Sequence, residues 1–149
     1  SSDLSIVFLV GMLAGSAVFS YDRYAAGDNV EKDSPNNWIK EEQIKVYDDK
    51  VVLELANVRW AGIKDTNSMD PVLDKGTNSL EVEPGSVEHI SVGDIISFNV
   101  DGKVVIHRVV SIGNDGKWYA LTKGDNNKEI DDWKVRFDDV EGVVIGVLY

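Results

Sequence analysis

The chain has 149 residues, enough for a single domain with its own core, and carries 26 acidic against 15 basic residues for a formal charge of −11. That charge argues against nucleic acid as a partner, because affinity for it comes largely from neutralising phosphates. The absence of cysteine excludes disulfides, thiolate metal sites and a cysteine nucleophile, and two histidines are too few for a zinc site, so neither a metal nor a cofactor is expected.

Residues 4–21 hold no charged side chain between Asp3 and Asp22. As a helix this run would extend about 27 Å at about 1.5 Å per residue, close to the roughly 30 Å of a hydrocarbon layer. It predicts an N-terminal transmembrane helix, with residues 1–24 as a lipid-embedded anchor. A cleavable signal peptide ending near Ala25-Ala26 is disfavoured, since no basic residue precedes the run. A pilin-like helix that assembles a filament is a further alternative, and Gly11 and Gly15 offer a small-residue face for a helix-mediated homo-oligomer. Arg23, which follows the run, opposes the orientation with the N-terminus in the cytoplasm.

Residues 25–37, rich in Ala, Gly, Asp, Asn and Ser, read as a linker. Trp38 to Ile44 suggests a short amphipathic helix with Ser34-Pro35 near its start. From Lys45 the pattern changes to short β-rich runs. Lys45-Val46-Tyr47 and residues 51–55 predict a hairpin. Residues 94–100 and 103–112, joined by Asp101-Gly102, predict a stronger one, because Asp-Gly suits the positive φ angles of a two-residue turn. A turn at Asn114-Asp115-Gly116, a strand over residues 117–122 and an apolar strand over residues 143–149 complete the series. The expectation is a mainly β domain over residues 38–149, a partly closed, barrel-like antiparallel sheet. No nucleotide-binding glycine loop occurs.

Three segments carry the chemistry: Asn67-Ser68-Met69-Asp70-Pro71, Ile106-His107-Arg108-Val109-Val110 and Thr122-Lys123-Gly124-Asp125-Asn126-Asn127. Hydroxyl attack on an amide needs a base to take the serine proton and a carboxylate to hold that base. Ser68 alone reads as a turn residue, and Asp125 as a turn aspartate bonded to its own backbone. His107 alone reads as a hydrogen-bonded core histidine, since strand alternation puts it on one face with Val105 and Val109. The other histidine, His89, sits in a polar segment.

In the order Ser-Met-x-Pro, His-Arg-Val and Lys-Gly-Asp-Asn-Asn the chain resembles signal peptidase I of the archaeal and endoplasmic-reticulum type. The resemblance implies a membrane-anchored serine endopeptidase that removes signal peptides from preproteins, with its catalytic domain on the extracytoplasmic side of the cell membrane. It further implies Ser68 as nucleophile, His107 as general base and Asp125 as the acidic partner, with Asp131 as a second family aspartate and Asp132 as a neighbouring alternative. The chain departs from the family pattern after Lys75, where a detour through residues 83–88 implies an altered rim of the substrate groove. A structural or filament-forming protein is the alternative from a different class. A self-cleaving repressor is disfavoured, because it would need a lysine in place of His107 and a DNA-binding domain.

Overall fold

The computed structural model describes residues 30–149. The expected anchor over residues 1–24 and the start of the linker lie outside the described residues. Among the described residues no helix is long and apolar enough to cross a membrane.

The first regular element is a single 3₁₀ turn, Glu41–Gln43, in place of the expected amphipathic helix. Lys40 before it and Ile44 after it are extended, and Ile44 already enters a strand, which leaves no room for a second turn. Strands β1 (Ile44–Val46) and β2 (Val51–Leu53) then pair as a separate two-stranded hairpin, as the sequence suggests.

The main sheet is built from β3 (Val58–Gly62), β4 (Asn78–Val82), β5 (Ile95–Val100), β6 (Lys103–Asn114), β7 (Trp118–Lys123), β8 (Val135–Arg136) and β9 (Val140–Leu148). It is antiparallel throughout, in the order β3-β4-β9-β5-β6-β7-β8. The β5–β6 turn has Asp101 at φ 50° and Gly102 at φ 79°, the left-handed pair that a tight hairpin requires. Strand β9, the apolar C-terminal run, inserts between β4 and β5 and joins the N-terminal pair to the β5–β8 meander.

The sheet is mainly β and antiparallel as expected, but it is not closed into a barrel. Its edges are β3 and β8, which sit at opposite ends of the strand order, and β8 has only two residues with which to continue the ladder.

The central strands are apolar at consecutive positions because both sheet faces are covered. Ile96, Phe98, Val109, Ala120 and Val143 form one core, against which Trp38, Trp118, Trp133 and Phe137 pack. Ile95 and Val144, their immediate neighbours in sequence, form a second core with Met69 and Leu73. Full burial of a side chain such as Phe98 contributes about 1.5–3 kcal/mol. The β6–β7 turn is tied to β8 by Asp115, whose carboxylate accepts hydrogen bonds from Arg136 at 2.9 Å and Lys134 at 2.7 Å. These two donors, Arg136 foremost, hold the Asp115 carboxyl well below the usual carboxylate range.

The end of the linker is docked on the sheet rather than free. Buried Asp94 accepts the Asn36 N–H at 2.6 Å, the Trp38 indole N–H at 3.1 Å and the Ser91 N–H at 2.8 Å. Gly93, at φ 101°, lets this segment approach, since a Cβ there would lie 2.2 Å from the Ser34 carbonyl oxygen.

Candidate active site

Ser68 lies in the loop between β3 and β4, preceded by Asn67 in the left-handed conformation at φ 59°. Met69 beside it is buried in the core with Leu73, so the serine loop is anchored by an apolar side chain that follows Ser68 directly. The Ser68 hydroxyl is 3.1 Å from the Thr66 hydroxyl. Its backbone N–H donates to no group among the described residues.

His107 lies in β6 opposite Ile96, on the face of the first core, and is 6% exposed. Its Nδ1 is 2.7 Å from Asp131 Oδ2. The same oxygen accepts the hydroxyl proton of Thr122 at 2.7 Å, and the Asp131 N–H donates to the Thr122 carbonyl at 2.9 Å. Thr122 is directly opposite Val109 in β7, which brings it to the same sheet face as His107. Asp131 is therefore held at both its backbone and its carboxylate before it meets the imidazole.

Asp125 does not meet His107. Its carboxylate forms a fork with Arg108, Oδ1 accepting from Nε and Oδ2 from Nη2, both at 2.7 Å. The reason is strand alternation: His107 and Arg108 are consecutive in one strand, so their side chains leave on opposite faces, and each takes a different aspartate. Asp132 is exposed.

Loop 124–127 serves the serine loop. The Asn126 N–H donates to the Ser68 carbonyl at 2.9 Å, and its side-chain amide donates to the Asn67 carbonyl at 3.0 Å. A Cβ on Gly124 would sit 2.5 Å from the Ser68 carbonyl oxygen, so only glycine permits this approach. The Lys123 ammonium closes the loop by donating to the carbonyls of Gly124 and Asn127.

Ser68 and His107 line one groove of about 870 Å³, together with Thr66, Trp60, Ile106 and Trp133. Strand β7 pairs with β6 only from Arg108 onward, so among the described residues the outer edge of residues 103–107 faces the groove unpaired. Buried Glu81 lies at its floor, satisfied by the Ser97 hydroxyl at 2.7 Å and Arg59 at 3.2 Å. No residue of the 83–88 detour is among those that line the groove. His89 is exposed and packs edge-on against Trp38. No group of three His, Cys, Asp or Glu side chains suited to a metal occurs among the described residues. Asn126 belongs to the Lys-Gly-Asp-Asn-Asn run, whereas Thr66 carries no signal that would have separated it in the sequence from ordinary loop residues.

The signal peptidase complex catalytic subunit SEC11 of Yarrowia lipolytica is 34% identical over 91 residues, which are 56% of this chain and 51% of that protein. The protein of the same name from Metarhizium robertsii is 35% identical over 92 residues, 54% of this chain and 53% of the relative. Over this region the chain is similar to these catalytic subunits of the signal peptidase complex. A second Metarhizium relative, SEC11 of Metarhizium acridum, is 38% identical over 69 residues, 44% of this chain and 40% of its own length. The chain thus spans about half the length of the curated relatives it matches. No family model matches it, and no solved structure matches.

Proposed function

We propose that the chain is a membrane-anchored serine endopeptidase that removes signal peptides from exported preproteins, with its groove on the extracytoplasmic side. The observation that carries this reading is the shared groove of Ser68 and His107, with Asp131 bonded to the far side of the imidazole. A carboxylate on Nδ1 favours the tautomer whose proton is on that nitrogen, leaving Nε2 as the base. His107 takes the Ser68 proton as the hydroxyl attacks the scissile carbonyl, and Asp131 stabilises the imidazolium that forms. The amine leaves with the proton from His107, and water then hydrolyses the acyl-enzyme by the same route. The Ser68 N–H, which donates to no group among the described residues, and the Thr66 hydroxyl are the donors for the oxyanion; such a donor contributes about 3–4 kcal/mol. In this reading Asp125 supports the loop and Asp131 orients the base.

The substrate binds as an extended segment along the unpaired edge of residues 103–107, where main-chain hydrogen bonds supply affinity. The relatives' name, catalytic subunit of a signal peptidase complex, supports further subunits as partners. The deciding experiment incubates the detergent-solubilised full chain with a preprotein and sequences the new N-terminus. Cleavage at the signal-peptide boundary that is lost in Ser68→Ala supports the reading; equal cleavage by Ser68→Ala refutes it.

A further inference from the structure

The fork between Arg108 and Asp125 is unused by the proton-transfer chemistry, yet it is better built than an ordinary surface pair. Both side chains are about four-fifths buried, at 19% and 18% exposure. Both carboxylate oxygens are engaged, and the remaining arm of the guanidinium donates to the Gly93 carbonyl at 2.8 Å. Arg108 is itself fixed in the sheet between Ile95 of β5 and Lys123 of β7. Asp125 is thereby tied to the rigid part of the molecule at the first residue after Gly124.

The next links run toward the nucleophile. The Asp125 N–H points to the Met69 sulfur at 3.4 Å, and the Asn126 N–H and side-chain amide take the carbonyls of Ser68 and Asn67. The orientation of the Ser68–Met69 peptide, and with it the direction of the Ser68 side chain, depends on where loop 124–127 stands. We infer that Arg108 and Asp125 are positioning residues for the nucleophile: their fork sets the loop that clamps the Ser68 backbone, independently of the His107–Asp131 pair on the opposite sheet face. This rests on the serine-peptidase reading for its kinetic consequence and on geometry alone for the clamp.

The two halves are tested separately on the full-length solubilised chain. In amide hydrogen exchange, Asp125→Asn, which keeps the side-chain shape, speeds exchange at Asn126 and in peptides covering residues 65–73. Asp131→Asn leaves those peptides unchanged. Unaltered exchange at Asn126 in Asp125→Asn overturns the clamp, whether or not the chain is a peptidase.

In preprotein cleavage, Asp125→Asn lowers kcat by about 10²-fold, as a nucleophile misplaced by about 1 Å would, with KM and the acid limb of the pH profile unmoved. Arg108→Lys retains the charge but not the fork, and falls by a similar factor. Asn126→Ala combined with Asp125→Asn is no worse than the more damaging single change, because both act through one clamp. Full activity in Arg108→Lys, a shifted acid limb in Asp125→Asn, or losses that multiply in the double variant would each overturn the assignment. Loss of Ser68 dependence would instead remove the peptidase reading and leave the exchange result to judge the clamp.

Discussion

The imidazole of His107 and the carboxylate of Asp131 meet at 2.7 Å although 24 residues separate them, and they do so through an oxygen that Thr122 already holds. The aspartate nearer in sequence to the histidine, Asp125, is on the other side of the strand with Arg108. This division between neighbouring residues organises what variants should do.

Asp131→Asn should lower kcat by up to about 10⁴-fold, since an asparagine cannot stabilise the imidazolium and can reverse the tautomer. Steady-state cleavage rates on a preprotein check this. A larger kcat loss in Asp125→Asn would return the orienting role to Asp125.

Thr66→Val removes a hydroxyl at nearly constant volume. A drop in kcat of about 10²–10³-fold with little change in KM is expected, and Thr66→Ser should recover most of it. Steady-state kinetics on a preprotein distinguishes this from a binding defect, in which KM alone would rise.

Gly124→Ala places a methyl group against the Ser68 carbonyl oxygen and the Asn127 side chain. Overpacking of this kind costs about 1–3 kcal/mol, so denaturant unfolding should show a lower midpoint. Activity should fall further than stability, since the displaced atom belongs to the serine loop.

Asp115 supplies a pH-dependent contribution to stability. Its carboxyl is held well below its ordinary value of 3.8 by Arg136 and Lys134, so its contribution is present above about that pH and is lost as pH falls through the folded-state value. Thermal melts of wild type and Asp115→Asn should differ at neutral pH and converge under strongly acidic conditions. A gap that does not narrow would show that charge is not the origin of the difference.

Export processing requires the groove outside the cytoplasm. Protease added to right-side-out vesicles should therefore digest residues 38–149. Protection until lysis would locate the domain in the cytoplasm and remove signal-peptide processing as its role.

Local chemistry made several elements legible in the sequence alone. Asp101-Gly102 specified the β5–β6 hairpin because few dipeptides tolerate two positive φ angles, and the alternation of β6 put His107 with Val105 and Val109. The continuous apolar run at the C-terminus signalled a strand, and Val143 and Val144 bury opposite faces of it in separate cores, whereas Leu148 and Tyr149 at its end are exposed. The identity of Ser68 and His107 as the pair to examine came from their flanking residues. What no local rule could reach was which aspartate meets the imidazole. Spacing placed Asp125 and Asp131 in one loop, but the choice depends on Asp131 returning beside Thr122 while Arg108, facing the other way, captures Asp125. The same holds for the sheet: insertion of β9 between β4 and β5, and the failure of the edges to close, are long-range pairings that carry no local signature. Sequence determined the two hairpins, the strand after them, the C-terminal strand and the candidate groups, whereas only the tertiary structure revealed the strands over 58–62, 78–82 and 135–136 and decided the partners, because hydrogen-bond partners distant along the chain are chosen by the packing of both faces of the sheet at once.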